Sequence, residues 1–240
     1  MGEREVAIRR AAISLFHEHG FAAVGIRQIA AELSMSSSTL YHYCDSKLRL
    51  LEQIMIDSSE ILEAATERAL TRAEDPRLRF AHLAMTLAAI QIGSRRTCYV
   101  LDNEMRSISQ ETPGGRYVVE QRNRYEAHWT EAIEAGVAEG VFSCPNTDVA
   151  RVGLIGMYSQ TSLWYRPNQV LDGVDLCRDL VDLGLAGLGS PRLSDAEAKQ
   201  VVDAAEFIRF AWEPAVEEPP STAFPHYADL MSAADLASTS

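Results

Sequence analysis

Apolar residues recur every three or four positions along most of this chain, and that helical spacing constrains the fold more than any other feature. We find no convincing run in which apolar and polar residues alternate, as they do in a half-buried strand. The first predicted helix covers about residues 4–19, carries Leu15 and Phe16 on its apolar stripe, and is followed by Gly20, a residue type that often ends helices. The sequence therefore predicts an all-α protein.

The same spacing, together with residues that favour helix ends, predicts nine further helices. They cover about residues 26–33, 37–43, a long stretch after Ser46, then 76–94, 97–109, 112–140, 146–165, 170–188 and 194–212. After Trp212 the helical pattern gives way to Pro, Ser and acidic residues, which is typical of a flexible tail. The predicted architecture is a three-helix head, a connector helix and a helical bundle, with one extra helix before the tail.

The net charge of −12 is distributed unevenly. Residues 1–47 hold five basic and five acidic residues, whereas residues 125–240 hold six basic and eighteen acidic ones. A neutral head on an acidic body is typical of a protein that binds DNA at one end only. Because bulk attraction to phosphates is weak there, specific contacts must supply much of the affinity.

Several classes of protein are not indicated by the sequence. We find no Gly-x-Ser-x-Gly motif, Gly-rich phosphate loop or His-Glu-x-x-His motif, so we predict no catalytic site, no metal and no cofactor. The cysteines are too scattered for a disulfide framework and indicate a reduced, cytoplasmic protein. No apolar run approaches the roughly 20 residues of a membrane span, so we expect no membrane partner. The four cysteines are Cys44, Cys98, Cys144 and Cys177.

Residues 25–44 fit a helix-turn-helix, with a turn at Ser34–Ser36 between the second and third predicted helices. In such motifs the second of the two helices lies in the major groove. Leu40 is predicted to face the core, while Tyr41 and Tyr43 offer hydroxyl donors to phosphates or base edges. The alternative is that both tyrosines are packed aromatics. Three consecutive serines at the start of this helix favour the DNA-binding interpretation.

The head resembles the DNA-binding domain of the TetR family of transcriptional repressors. The matching runs are Ala11-Ala12, Leu15-Phe16, Gly20-Phe21, Ile29–Leu33, Ser36, Thr39–Tyr43 and Ser46-Lys47. Three positions depart from the family pattern: Gly25 replaces a Thr or Ser cap, Ser38 replaces a Gly, and Cys44 replaces a core Phe. The resemblance implies a homodimer that binds a roughly palindromic operator in double-stranded DNA. The predicted DNA-binding residues are Arg27, Gln28, Ser36, Ser37, Ser38, Thr39, Tyr41, His42, Tyr43 and Lys47.

The body is predicted to bind a small-molecule effector. Residues 95–124 hold six arginines in an otherwise acidic chain, and aromatic and Met side chains interleave with the apolar helices around them. An apolar pocket rimmed by guanidinium groups would suit an amphiphilic anion. The alternative is a solvated face of ion pairs over an ordinary aromatic core. The predicted effector-binding residues are Met85, Arg95, Arg96, Tyr99, Arg122, Trp129, Tyr158 and Trp164.

A second, more diffuse resemblance covers residues 99–106, 121–124, 136–148 and Trp164–Pro167. These stretches are similar to the branch of TetR-type regulators that sense acyl-CoA thioesters, which implies an acyl-CoA effector. A plain hydrophobic or aromatic effector is an alternative, and a ligand-free architectural DNA-binding protein is a more remote one. The combined hypothesis is a repressor released from its operator by a small molecule. An activator is not excluded by the sequence.

Dimerisation is predicted to use the eighth and ninth predicted helices, where small residues permit close approach and leucines supply an apolar seam. The alternative is that this pair simply completes the core of one chain. We expect a DNA-binding domain at 2–62, a ligand-binding and dimerisation domain at 63–190, and an extra helix with the tail at 191–240. The predicted interface residues are Gly153, Leu163, Leu180, Leu183, Gly184 and Gly187.

Overall fold

A computed structural model describes residues 2–166 and 172–205, and every regular element in these ranges is helical. The all-α prediction is therefore confirmed. A short 3₁₀ turn, Met105–Ser107, follows α6. The α-helices are α1 Glu3–His19, α2 Ile26–Glu32, α3 Ser37–Tyr41, α4 Lys47–Leu70, α5 Pro76–Gly93, α6 Arg95–Glu104, α7 Pro113–Ala138, α8 Thr147–Ser159, α9 Thr161–Trp164, α10 Gly173–Gly187 and α11 Asp195–Ala204.

Local sequence signals place most helix ends correctly. Gly20 follows α1 with a φ of 78°, a left-handed conformation that glycine adopts without a steric penalty. Asp75 caps α5 by accepting a hydrogen bond from the backbone N–H of Leu78 at 2.9 Å, and Pro76 occupies the first helical position. Asn146 caps α8 in the same way. These ends depend on neighbouring residues alone, which is why the sequence predicts them.

The first compact unit consists of Met1–Glu60 and Arg96–Arg122. Its apolar core is formed by α1, α2, α3 and the first half of α4, with Phe16 and Leu40 fully buried. Val100 from α6 and Val118 from α7 are buried in the same cluster. Residues 96–122 therefore belong structurally with the head, although we had placed them in the predicted body domain. The functional boundaries at 62 and 190 stay a prediction.

Among the described residues, the second compact unit consists of residues 61–95, 123–166 and 172–205. Its central element is α5, in which every residue from Phe80 to Ala89 is buried. A helix that is apolar all round must be covered on all sides. Helices α8, α9, α10 and α11 pack against it and provide this cover. Trp129 and Tyr158 are the largest fully buried side chains of this core.

The predicted helix 146–165 is interrupted in the structure, because α8 ends at Ser159 and α9 begins at Thr161. At this break the Ser162 hydroxyl donates a hydrogen bond to the Ser159 carbonyl at 3.1 Å. Serine hydroxyls that bond nearby carbonyls compete with helical backbone bonds. The single long helix expected from apolar spacing was therefore wrong in detail.

The extra helix predicted after the body is present as α11 within the described residues. It begins with a capping box, in which Ser194 and Glu197 exchange side-chain-to-backbone hydrogen bonds. Arg77 from α5 forms an ion pair with Glu197 at 2.5 Å. These hydrogen bonds from Arg77 and Ser194 lower the pKa of Glu197 to about 2. The predicted tail at 213–240 and Pro167 lie outside the described residues.

None of the helices in residues 2–166 and 172–205 combines the length and the apolar character that a membrane span requires.

Candidate functional site

Ser36 fixes the start of α3. Its hydroxyl oxygen accepts a hydrogen bond from the backbone N–H of Thr39 at 3.1 Å, which is the predicted N-cap. The same oxygen lies 2.8 Å from the hydroxyl oxygens of both Ser38 and Thr39. The start of α3 is therefore a small network of hydroxyl groups in which Ser36 and Ser38 are exposed.

The turn between α2 and α3 has a left-handed residue at Ser34, with a φ of 53°. The backbone N–H groups of Ser34 and Met35 donate to the carbonyls of Ala31 and Ala30 at 3.0 and 2.9 Å. This pattern closes the end of α2 and redirects the chain into α3. The turn predicted at residues 34–36 is thus present, and α2 and α3 pack against each other.

Leu40 is fully buried and anchors α3 to the head, whereas its neighbours face solvent. Tyr41 is 52% exposed and Tyr43 is 38% exposed. These values contradict the alternative in which both tyrosines are packed aromatics. Arg27 and Gln28 on α2 are exposed as well, as is His42 at the end of α3. Ser37, Thr39 and Lys47 are half-buried, so the predicted DNA-binding residues range from half-buried to exposed.

Arg4 is a basic residue near this surface that our sequence analysis did not assign. A hydrogen bond with Tyr43 raises the pKa of the Arg4 guanidinium, and Arg4 is exposed. This contact joins α1 to the residues that follow α3. No spacing in the sequence indicates it, because Arg4 and Tyr43 are brought together only by the packing of the head.

Lys47 begins α4, and its ammonium group makes contacts that the sequence did not predict. Its Nζ atom donates to the carbonyl of Phe21 at 2.5 Å and lies 3.4 Å from that of Ala22. It also lies 4.3 Å from the centre of the Phe21 ring, within range of a cation–π interaction. Lys47 therefore holds the connection between α1 and α2 in place. An ammonium has three N–H donors, so it could bind a phosphate oxygen without losing these bonds.

Residues 96–122 contact the head through several polar and aromatic pairs. The backbone N–H of Phe21 donates to Glu104 at 3.3 Å, and the Tyr117 hydroxyl donates to Glu60 at 3.0 Å. Tyr99 packs edge-on against His17, with ring centroids 5.0 Å apart. Tyr99 is therefore part of the apolar cluster of the first unit.

The predicted effector-binding residues are divided between the two compact units. Met85, Arg95, Trp129, Tyr158 and Trp164 belong to the second unit. Arg96, Tyr99 and Arg122 belong to the first. The sequence could not show this division, because residues 95–124 read as one basic stretch. These eight residues do not all lie in one unit, and their common role stays a prediction.

Within the second unit, Met85, Trp129 and Tyr158 lie in one core. The Trp129 and Tyr158 ring centroids are 5.6 Å apart, and the Tyr158 hydroxyl donates to the Leu180 carbonyl at 3.2 Å. Burial raises the pKa of Tyr158 well above its usual value, so this hydroxyl stays protonated. Among the described residues, none provides a hydrogen-bond acceptor for the buried Trp129 indole N–H.

The predicted arginines show mixed environments. Arg95 donates to the Ser162 carbonyl at 3.3 Å and is half-buried, whereas Arg96 and Arg122 are exposed. Arg124 lies 3.9 Å from Glu63, so one acidic partner of this basic stretch comes from α4. Arg124 thus forms the kind of ion pair that the alternative of a solvated face requires.

The predicted interface residues differ in exposure. Leu183 is 56% exposed, and Gly153, Leu163 and Gly187 are also exposed. In contrast, Leu180 and Gly184 are buried in the core of the second unit. A Cβ atom on Gly184 would lie 2.1 Å from the Tyr158 hydroxyl oxygen, so Gly184 gives this ring its space. Leu180 and Gly184 therefore pack inside their own chain and do not face solvent.

Two exposed valines on α8 were missed by our sequence analysis. Val149 is 69% exposed and Val152 is 61% exposed, and they lie three residues apart on one face of the helix. Gly153 and Gly156 belong to the same face, and a Cβ on either would meet nothing within 4 Å. Helical spacing around Val149 could have revealed this outward apolar stripe, but the interface predicted on the helix expected at 146–165 included Gly153 and Leu163 and neither valine.

Comparisons with known proteins identify both parts of the chain. Residues 8–54 match the family described as "Bacterial regulatory proteins, tetR family". Residues 73–188 match the family described as "Tetracyclin repressor-like, C-terminal domain". An all-helical regulator with a helix-turn-helix head is thus the class that fold and sequence define. The chain belongs to the TetR family and is a DNA-binding transcriptional regulator.

The repressor KstR2 of Mycolicibacterium smegmatis is 25% identical over 181 residues, covering 74% of this chain and 86% of that protein. A TetR-family regulatory protein from Rhodococcus RHA1 has a similar structure, with a TM-score of 0.73 and 24% identity over 81% of this chain and 100% of the other. The structure of AibR in complex with isovaleryl coenzyme A and operator DNA gives a TM-score of 0.67 and 20% identity, over 75% and 97%. These structural matches concern the fold alone.

Proposed function

We propose that this regulator is a cytoplasmic repressor that binds operator DNA as a homodimer and leaves it when a small molecule binds the body. The observation that carries this proposal is the α2–α3 surface, where Leu40 is buried while Tyr41 and Tyr43 are exposed. Because Leu40 fixes α3 to the core while hydroxyl groups of the same helix face outward, α3 is suited to insertion into a major groove. KstR2, which resembles this chain along most of its length, is named as a repressor.

The proposed DNA contacts are divided by chemistry. Ser37, Thr39 and Tyr41 offer hydroxyl groups at or near the start of α3, where base edges and phosphates are both within reach of short side chains. Arg27 and Gln28 extend from α2, which would cross the DNA backbone. Arg4, held by Tyr43, adds a positive charge to this surface.

Lys47→Ala is expected to weaken operator binding by about 1–2 kcal/mol because one phosphate contact is lost. The slope of log affinity against log salt concentration should fall by about 0.9, the value for one phosphate on duplex DNA. Fluorescence anisotropy at several salt concentrations measures both quantities. Arg68→Ala, which removes an exposed cation of α4 far along the helix from Lys47, is the matched control and should leave the slope unchanged.

Lys47 also bonds the Phe21 and Ala22 carbonyls, so its loss could act through the head instead of through DNA. The two effects are separable by chemical unfolding of the free protein. An unchanged salt slope, with a lower free energy of unfolding, would show that Lys47 positions the α1–α2 connection and does not touch phosphate.

We further propose that the effector is an acyl-CoA. AibR was crystallised with isovaleryl coenzyme A and operator DNA together, and this chain shares its fold. Arg95 and Arg124, which lie in the second unit, supply cations that a coenzyme A phosphate would require. The apolar acyl group would lie among the residues near Met85, Trp129 and Tyr158.

A second candidate is an uncharged aromatic or hydrophobic effector with a hydrogen-bond acceptor. The buried Trp129 indole N–H favours it, because no described residue accepts its hydrogen bond. A buried donor without a partner costs about 1–3 kcal/mol, which a ligand oxygen would recover.

Calorimetry with short and medium acyl-CoAs, the matching free acids and their methyl esters distinguishes the two candidates. The acyl-CoA proposal predicts that only thioesters bind and that they lower operator affinity about 5- to 150-fold, the usual range of coupling between two sites. Binding by esters alone would favour the second candidate. If no class binds, or if binding leaves operator affinity unchanged, the proposal that the protein is effector-controlled is wrong.

A further inference from the structure

The second unit has an open surface pocket, referred to below as the cavity, with a volume of about 500 Å³; Met85, Trp129 and Tyr158 are not among the described residues that line it. It is bordered by the turn after α4, by the first half of α5 and by α11. Its volume is within the range of small-molecule sites. The described residues that line it are Arg72, His82, Ala196, Lys199, Gln200, Asp203 and Ala204.

His82 provides the buried polar group of this cavity. It is only 2% exposed, and its Nε2 atom has no hydrogen-bond partner among the described residues. Burial, aided by the positive charge of Arg72, lowers the pKa of His82 to about 4, so the imidazole is neutral near pH 7. A buried imidazole nitrogen without a hydrogen-bond partner destabilises the folded protein, and an apolar side chain at this position would avoid that cost. A bound molecule that supplies the missing partner would also remove the cost.

The charges around the cavity favour a monoanion. Lys199 and Asp203 form an ion pair at 2.5 Å and largely neutralise each other. Arg72, which is exposed, adds one further positive charge. Ala196 and Ala204 also line the cavity and provide a small apolar surface beside these polar groups. This combination suits a molecule with one carboxylate and a compact apolar body.

We propose that this cavity is a second small-molecule site, distinct from the proposed effector site, that binds a small organic monocarboxylate. The carboxylate pairs with the Arg72 guanidinium, and the His82 imidazole forms a hydrogen bond with the ligand. The apolar part of the ligand lies on the Ala196 and Ala204 side of α11.

The test uses the full chain and calorimetry with benzoate and hexanoate, compared with benzamide and inorganic phosphate. We expect both carboxylates to bind at least tenfold more tightly than benzamide, because a charge-assisted hydrogen bond is lost in the amide. Arg72→Gln should weaken benzoate binding tenfold or more. Arg192→Gln, which removes an exposed cation outside the lining residues, should change it less than twofold.

His82 is tested with two variants, since a buried substitution can disturb folding. His82→Leu should weaken benzoate binding about fivefold, whereas His82→Gln, which keeps a polar group, should lose less. Chemical unfolding and operator binding of each variant show whether the fold is intact.

The inference is wrong if neither carboxylate binds up to about 10 mM, or if Arg72→Gln has no effect on a well-folded protein. Phosphate binding as tight as benzoate binding would also overturn it, since that shows an unselective anion site. The acyl-CoA proposal is tested separately, because Arg72→Gln should leave acyl-CoA binding unchanged.

Discussion

Gly184→Leu is expected to lower the free energy of unfolding by about 3 kcal/mol relative to Gly187→Leu, which is the upper end of the penalty for overpacking a core. The reason is space: the first added carbon would already lie 2.1 Å from the Tyr158 hydroxyl oxygen and 3.1 Å from the Phe80 ring. Tyr158 cannot move freely, because its hydroxyl bonds the Leu180 carbonyl. Urea unfolding at one fixed protein concentration gives the comparison.

Gly187→Leu is the matched control because it makes the same chemical change three residues later in α10. A Cβ there meets nothing within 4 Å, and both variants gain the better helix propensity of leucine. Equal unfolding free energies for the two variants would show that Gly184 does not limit the packing of Tyr158. The sequence had predicted that both glycines lie at the dimer interface; in the structure Gly187 is exposed and Gly184 is buried.

The second large effect is expected for Leu183→Glu, which should convert a dimer into monomers. Leu183 is 56% exposed on α10, and α8 carries exposed Val149 and Val152. A charge in the centre of an apolar interface must be desolvated without a partner, which strongly opposes association. Because a monomer reaches only one half-site, operator affinity should fall on the order of 100-fold or more.

Val137→Glu serves as the control for this experiment. Val137 is an exposed apolar residue of α7, outside the α8–α10 pair, so its replacement should leave the dimer intact. Light scattering gives the mass of each variant, and mobility shift gives its operator affinity. A dimeric Leu183→Glu protein with normal affinity would remove α10 from the proposed interface.

The fold was largely predictable because its signals are local. Apolar spacing located the helices, and cap residues such as Ser36, Asp75 and Ser194 marked where three of them begin. The head was recognisable for the same reason: Leu40, Tyr41 and their neighbours lie close together in both sequence and structure. Each of these features is determined within about five residues of the chain.

The candidate sites of the body were less predictable, because they depend on which helices meet. Tyr99 packs on His17 in the first unit, although its sequence neighbours had indicated the body. Gly184 has the small size expected at an interface but serves the packing of Tyr158. His82 and Lys199 line one cavity from helices more than 100 residues apart, and no spacing rule connects them.

Selection of bound sequences from a pool of random duplexes tests the central claim most directly. The wild-type chain should enrich one motif with twofold symmetry, whose half-site centres are separated by about one helical turn of DNA, or a multiple of it. Symmetry is required because two identical heads of a homodimer read the two half-sites. Recovery of no motif, or of a single unpaired half-site, would contradict the account of a dimeric regulator that reads DNA through α3.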